Sequence, residues 1–147
     1  MKKLAILLCV VFALALCALA DDQFELSAGY THLTPGKDGF ELSGGYLPVK
    51  HLTIDGDVGA YFKKNDNTAT YLFGPMATTA LTHDGFLTGF VRILFGGAHE
   101  NNNYFAYLLG AGVDVGKHKF FVRPSADIVR FNGGTHGRVG IGVVYRW

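Results

Sequence analysis

The sequence predicts an all-β chain that folds as an eight-stranded antiparallel transmembrane β-barrel, after a cleaved N-terminal signal peptide. Three observations predict this fold: a two-residue alternation of apolar and polar side chains, a strand-sized repeat and an exported leader. The alternation is clearest in residues 138–147, where Val, Ile, Val, Tyr and Trp occupy every second position. A strand places alternate side chains on opposite faces, so one face of this segment is wholly apolar. A transmembrane barrel strand turns such a face to lipid and its polar face to the lumen.

The leader has the three parts of a secretory signal peptide. A basic start precedes the uncharged apolar run 4–19, and Ala18-Leu19-Ala20 is a small-residue cleavage site. The run is shorter than the ~20 apolar residues that a membrane-anchoring helix needs. A lipoprotein is a further alternative, but Leu16 stands before Cys17 where a lipobox has a small residue. We therefore expect residues 1–20 to be the signal peptide and residues 21–147 to be the outer-membrane β-barrel domain.

Composition limits the function of the mature chain. Without Lys2 and Lys3 it carries 11 basic and 12 acidic side chains and has no basic patch, which argues against nucleic acid as a partner. Both cysteines, Cys9 and Cys17, leave with the leader, so no disulfide is expected. All 20 glycines lie in the mature part, many of them inside apparent strands. Such small residues suit a narrow barrel interior.

A repeat sets the number of strands. Residues 24–30 (FELSAGY) recur almost unchanged as residues 40–46 (FELSGGY), 16 positions later. A transmembrane strand of ~10 residues plus a turn fits this period. The 127 mature residues hold about eight such units, and eight strands make the smallest common membrane barrel.

The same alternation predicts the later strands and their facing. We expect strands over residues 52–62, 68–78, 86–98, 104–115, 120–129 and 138–147. Polar connections are expected near residues 34–39, 63–68, 98–103 and 131–136. Arg92 is placed inside with Phe90 and Leu94. Pro75 and Pro124 lack the N–H that a barrel ladder needs, so a bulge or strand end is expected at Pro75, and Pro124 is equally awkward.

The predicted lumen is strongly charged. Its face carries six carboxylates and four guanidiniums: Glu25, Glu41, Asp55, Asp57, Arg92, Asp114, Arg123, Asp127, Arg138 and Arg146. All six mature lysines (37, 50, 63, 64, 117 and 119) fall at predicted turns or loops. Isolated buried charges are very costly, so we expect a paired network that plugs the lumen. A narrow or gated ion path is the alternative.

Aromatic residues predict the two membrane interfaces. Most lie near predicted strand ends, as in an interfacial girdle: Tyr30, Tyr46, Tyr61, Tyr71, Phe73, Tyr104, Phe105, Phe120, Phe121, Tyr145 and Trp147. The alternative is an ordinary aromatic core in a soluble sandwich.

No motif indicates catalysis or metal binding. The six histidines are scattered and form no His-x-x-His or HExxH pattern. The three serines, Ser27, Ser43 and Ser125, lie outside any G-x-S-x-G motif. We expect no catalytic residues, no metal and no cofactor.

The chain resembles the small outer-membrane β-barrels of Gram-negative bacteria, the porin-like group that includes the OmpA transmembrane domain, OmpX and the opacity proteins. The FELS-Ala/Gly-Gly-Tyr units, Phe95-Gly96-Gly97-Ala98-His99 and the ending Tyr145-Arg146-Trp147 carry this resemblance. It implies outer-membrane lipid around the barrel and both termini in the periplasm. It also implies that the barrel-assembly machinery reads Gly142, Tyr145 and Trp147, although Gly140 stands where a polar residue is usual.

These observations favour an integral outer-membrane barrel, monomeric, with a structural or surface-interaction role. Three alternatives stay open: a narrow ion-conducting pore, a lipid-modifying outer-membrane enzyme on the same barrel, and a soluble lipocalin-like carrier whose apolar face lines a ligand cavity.

Overall fold

The computed structural model describes residues 24–64 and 66–147, so the predicted signal peptide lies outside the described residues. Eight strands account for nearly all of this part of the chain. They are β1 (Phe24–Leu33), β2 (Lys37–Val49), β3 (Leu52–Lys63), β4 (Asp66–Ala80), β5 (Leu87–His99), β6 (Asn103–Lys117), β7 (Phe120–Phe131) and β8 (Gly134–Arg146). No helix in these residues is long and apolar enough to cross a membrane.

The strands close into a barrel in sequence order. Each strand pairs antiparallel with its neighbours along the chain, and β1 pairs with β8 from Glu25–Arg146 to Leu33–Arg138. The two repeated units lie side by side, since Phe24 is opposite Tyr46 and Tyr30 is opposite Phe40. Full closure leaves no sheet edge, which a barrel needs in lipid. The predicted fold class is confirmed.

The outer wall is apolar, as the alternation predicts. In β5, Val91, Ile93 and Phe95 are about half exposed, whereas Phe90, Arg92 and Leu94 are buried inside. In β8, Val139, Ile141 and Val143 are exposed in the same way. A wall of this composition is stable against lipid hydrocarbon and unfavourable in water.

The start of β1 and the C-terminal residue lie at one end of the barrel, here called the terminal end. The backbone N–H of Trp147 donates to the carbonyl of Phe24 there, at 3.1 Å. The opposite end, here called the distal end, has connections of only two or three residues: 34–36, 64–65, 100–102 and 132–133. The longest connection in the barrel, residues 81–86, is at the terminal end.

The distal connections are therefore shorter than the polar segments that the sequence predicts for them. The strands continue into them because their polar residues pair across the hairpins, as in Lys63–Asp66 and His99–Asn103. At the last hairpin, Asn132 and Gly133 both have positive φ, of 50° and 69°. This is the conformation of a two-residue Asn-Gly turn, which ends the loop at once.

Pro75 and Pro124 disturb their strands less than the sequence predicts. Pairing of β4 with β5 lapses over Gly74 and Pro75 and resumes at Met76 in the same register. Pairing of β6 with β7 lapses next to Pro124 in the same way. Each proline interrupts the ladder on one side only, so the strand continues. The register shift falls instead between Tyr46 and Val49 of β2, around Pro48.

Three aromatic residues assigned to the interfacial girdles face inward instead. Tyr61 is fully buried, Phe121 is 8% exposed, and Tyr104 packs against the buried core. Each follows the inward phase of its own strand, so closeness to a strand end was the wrong criterion. Aromatic pairs do form at the terminal rim: Phe24 with Tyr46 at 5.0 Å, and Tyr145 with both Phe120 and Trp147 at 4.9 and 4.8 Å.

Candidate functional site

The charged interior is built around two arginines from the middle of the barrel. The Arg92 guanidinium donates to both carboxylate oxygens of Asp127, at 3.2 and 3.0 Å. Arg138 donates to both oxygens of Asp57, at 3.1 and 3.0 Å, and its Nε donates to Asp127 at 2.8 Å. Asp127 thus accepts from both arginines. Such two-pronged pairs use the fixed geometry of the guanidinium.

Further acceptors complete this group. Glu41 lies 3.3 Å from Arg92 and 3.1 Å from Arg138, and Asp55 accepts from Arg92 at 3.4 Å. The Tyr61 hydroxyl accepts from Arg138 at 3.0 Å. We call the two arginines and the carboxylates of Glu41, Asp55, Asp57 and Asp127 the central cluster. Its contacts join β5 to β3 and β7, and β8 to β3 and β7, so it ties strands together across the lumen.

A second group lies nearer the terminal end. Arg123 donates to Asp114 through Nε at 2.6 Å and through Nη2 at 2.9 Å. Arg146 donates to Glu25 at 2.9 Å and also to Asp114. Nη2 of Arg123 lies 2.9 Å from Glu25. We call these four residues the terminal cluster, and all of them except Arg146 are nearly fully buried.

Aromatic rings fill the space between guanidiniums. The Phe90 ring lies 4.8 Å from the Arg123 guanidinium carbon and 5.8 Å from that of Arg92, so it contacts both clusters. The Phe121 ring lies 4.5 Å from the Arg146 guanidinium. A cation over an aromatic face is attracted to it, and more strongly where water is excluded.

The ten charged residues singled out in the sequence all lie inside the barrel, divided between these clusters. The terminal cluster has two arginines and two carboxylates. The central cluster has two arginines and four carboxylates. The arrangement can brace the barrel, because each guanidinium is held by carboxylates from more than one strand.

Glycine makes room for these large side chains. A Cβ atom placed on Gly110 would lie 1.7 Å from Oδ1 of Asp127. One placed on Gly45 would lie 2.5 Å from Thr53 and 3.0 Å from Glu25. Contacts this short do not occur, so these positions admit only hydrogen while the charges keep their places.

An apolar layer that the sequence did not predict fills the distal half of the lumen. It comprises Leu33, Tyr61, Leu72, Leu94, Ala98, Ala106, Leu108, Val129 and Phe131, each at most 4% exposed, and Tyr104 packs against it. These residues occupy the inward phase of their strands beyond the central cluster. The alternation places each of them inside, but their common height along the barrel depends on strand stagger, which the alternation does not give.

A polar cap at the distal mouth was also missed. Lys37 was expected in a loop, but it begins β2 and points inward at 6% exposure. Its ammonium group lies 2.9 Å from Asp66, donates to Thr68 at 2.7 Å and also pairs with Glu100. We call these four residues the mouth clasp. Its acidic and hydroxyl partners come from segments that the sequence assigned to loops.

A small cavity lies within the described part of the lumen. A cavity of about 20 Å³ lies between the two clusters, lined by Ser27, Gly29, Thr31, Glu41, Arg123, Ser125, Gly140, Ile141 and Gly142. This volume matches about one water molecule. Two larger grooves, near Leu81 and near Ala111, open on the outer wall.

Candidate catalytic and metal-binding groups are dispersed. Among residues 24–64 and 66–147, no group of three His, Cys, Asp or Glu side chains could hold a metal ion. All three serines belong to inward positions: Ser27 and Ser43 are buried and share a 2.6 Å hydrogen bond, and Ser125 lines the cavity. His32 contacts Asp38 at 2.8 Å on the outer wall, beside Tyr30.

Two of the three residues assigned to the assembly signal lie at the terminal rim. Tyr145 and Trp147 are partly exposed at the terminal rim, with their rings in an edge-to-face contact. Gly142 faces inward, lines the cavity and lies opposite Gly29 of β1.

Comparison with known proteins finds solved structures that share this fold. No family model matches the chain, and none of the curated proteins matches it. The N-terminal β-barrel domain of Pseudomonas aeruginosa OprF matches with a TM-score of 0.66 at 17% identity, over 86% of this chain and 98% of that one. Neisserial surface protein A matches with 0.64 at 13%, over 84% and 97%. The Yersinia pestis outer membrane protein Ail matches with 0.60 at 16%, over 86% and 100%.

These neighbours are small eight-stranded barrels that this chain spans from end to end. The resemblance expected from the sequence is confirmed at the level of the fold. PagL, an outer-membrane enzyme, also matches, with a TM-score of 0.57 at 13% identity. The fold is therefore that of the outer-membrane barrels, and it occurs in both enzymes and proteins of other kinds.

Proposed function

We propose that this chain, a barrel of outer-membrane type, resides in the outer membrane as a monomer and serves as a structural, non-conducting element there. The observation that carries this proposal is that three successive layers of side chains block the same lumen. The terminal and central clusters fill one half, the apolar layer fills the other, and the mouth clasp lies above it.

The apolar layer is the strongest argument against a pore. An ion that left the central cluster would have to pass among Leu72, Leu94 and Leu108, which are at most 4% exposed and offer no polar ligand. Moving a charge through such a layer costs several kcal/mol or more, on the order of the penalty for burying an unpaired ion. The guanidiniums are also engaged with carboxylates, so they do not line a free water path.

A lipid-modifying enzyme has one neighbour in its favour, PagL, and little support from this chain's side chains. An acyl-chain substrate would reach the outer wall, whereas Ser27, Ser43 and Ser125 are inward. The Asp38–His32 pair does lie on the outer wall. Its hydrogen-bond partner there is Tyr30 and not a serine. We propose that the chain is not a serine hydrolase.

The soluble carrier is wrong because it places the two faces the other way round. A carrier of that type needs an apolar cavity and a polar outer surface. Here the outer wall carries Phe40, Phe73 and Phe105 at 62–71% exposure, and the lumen carries the charges.

The distal end offers only a small area for surface interactions. With both termini in the periplasm, the distal end faces outward, and its connections have two or three residues each. Long adhesive loops are not part of this barrel. We therefore place the main role in the membrane-spanning wall and its lipid contacts.

One experiment tests location and closure together. Expressed protein should be recovered in the outer-membrane fraction and should migrate differently on a gel before and after heating, because a folded barrel resists detergent. Proteoliposomes that contain it should swell no faster in small sugars than empty liposomes. Recovery in the soluble periplasm, or solute entry that rises with protein content, would contradict the proposal.

For assembly, we propose that the barrel-assembly machinery reads the aromatic end of β8. Changing Tyr145 and Trp147 to Ser should lower the amount of folded protein in the membrane while export continues. Phe24–Tyr46 is an aromatic pair on the same rim but outside the tail, so Tyr46→Ser is the matched control. Equal membrane yields for the tail variant and the wild type would contradict a recognition role.

A further inference from the structure

The small cavity between the two clusters is lined by both polar and apolar atoms. Among its lining residues, Thr31 is 3% exposed and Arg123 is 4% exposed, and the Glu41 side chain is 10% exposed. The cavity therefore lies where bulk solvent has little access. Its volume of about 20 Å³ exceeds the roughly 10–15 Å³ that one water molecule requires.

Three polar atoms on these residues have no hydrogen-bond partner within the protein: Oγ1 of Thr31, Nη1 of Arg123 and Oε2 of Glu41. The Glu41 oxygen lies 3.1 Å from Arg138, but without hydrogen-bond geometry. Buried polar atoms are almost always satisfied by protein or by ordered water. The three residues that carry these atoms all line one cavity, which is a specific signal because each unpaired atom alone would be a costly defect.

The chemistry of these atoms is complementary. Nη1 of Arg123 can only donate, a carboxyl oxygen of Glu41 can accept, and the Thr31 hydroxyl can do either. Ser125 adds a second hydroxyl to the lining. A molecule that accepts one hydrogen bond and donates others satisfies this set, and buried water typically makes about three.

We propose that this cavity is a binding site for a single water molecule, which accepts from Arg123 and donates to Glu41. Arg123 belongs to the terminal cluster and Glu41 to the central cluster. The water thus joins the two clusters into one hydrogen-bonded network. The site is independent of where the barrel resides and of whether its lumen conducts.

The first test is direct observation in the folded full-length barrel. A high-resolution crystal structure should contain a density peak within hydrogen-bond distance of Nη1 of Arg123 and the Glu41 carboxylate. A cavity without a peak, in a map that resolves other buried waters, would overturn the proposal. A peak whose ligand distances fit a metal ion better than water would overturn it too.

The second test separates a hydrated site from a dry void. Ser125→Val fills the cavity with methyl groups and should expel the water. The folding equilibrium constant should then fall by roughly tenfold or more, because Arg123 and Glu41 lose a partner. Ser125→Ala keeps the space and three polar partners, so its constant should stay within about threefold of the wild type.

The structures of the variants keep this comparison interpretable. The peak should persist in Ser125→Ala and in Ser43→Val, where the same substitution is made at a buried serine that does not line the cavity. It should vanish in Ser125→Val. A dry void predicts the opposite stability result: filling it would leave the folding constant unchanged or raise it.

Discussion

At the scale of single residues, the stability of the lumen depends on charges that are buried but paired. Asp127 accepts from both Arg92 and Arg138, and its side chain is fully buried. Removing one carboxylate from such a group leaves its buried guanidiniums with fewer counter-charges, which destabilises the fold more than the intact group stabilises it.

Asp127→Asn should therefore lower the free energy of unfolding by about 3 kcal/mol, the usual cost of breaking a buried ion pair. The measurement is urea unfolding of the barrel in lipid vesicles, followed by tryptophan fluorescence. Asp38→Asn makes the same change near the distal end of the barrel, where the pair with His32 is exposed. The resulting loss in the free energy of unfolding should be clearly smaller, because an exposed ion pair contributes little to stability. Similar losses for both variants would contradict the importance of burial.

The inward glycines give a second prediction at this scale. Gly110→Ala places a methyl group within 1.7 Å of an Asp127 oxygen, so the carboxylate and both of its arginines must move. We expect the fraction of folded protein on an unheated gel to fall markedly. At Gly56, an added Cβ would have no neighbour closer than 3.8 Å, so Gly56→Ala serves as the control. A normal folded fraction for Gly110→Ala would mean that the lumen is looser than described.

At the scale of elements, the strands follow from the alternation, but the connections do not. The facing of β5 and β8 is correct residue by residue, because one face meets lipid and the other meets a crowded lumen. Polar residues near hairpins were assigned to loops, although ladder pairing continues through them. The Asn132-Gly133 dipeptide is the signal that could have shortened the last loop.

The longest connection, residues 81–86, is held by Asp84. Its carboxylate accepts from the backbone N–H of Phe86 at 3.1 Å and lies 3.2 Å from the Lys117 ammonium. These contacts favour the ionised form. The hydrogen bond from Phe86 is the largest cause, and together they lower the pKa of Asp84 to about 2.

This pKa predicts a pH dependence with a definite sign. Because the folded pKa is below the unfolded value of about 3.9, ionised Asp84 stabilises the turn above that value. The benefit is lost as pH falls through about 2. Asp84→Ala should thus be less stable than the wild type at pH 7, and the difference should shrink between about pH 4 and pH 2. A difference that is constant with pH would contradict an electrostatic role for this side chain.

At the scale of the whole molecule, the sequence accounts for the barrel and for which charges enter it, but not for their partners. Glu25 and Arg146 are 121 positions apart in the chain and meet only because β1 closes against β8. The division into two clusters, the apolar layer and the mouth clasp all depend on strand stagger. Alternation within one strand carries no information about the height of a residue relative to other strands.

The central claim is that the lumen is closed, and single-channel recording of the purified, folded barrel in a planar bilayer tests it most directly. A Leu94→Ala/Leu108→Ala variant, which removes side chains from the apolar layer, shows how the recording responds when that layer is opened. The account predicts no steady conductance from the wild type and measurable openings from the variant. Steady wild-type conductance equal to that of the variant would contradict it and would make the arginine-lined lumen a working pore.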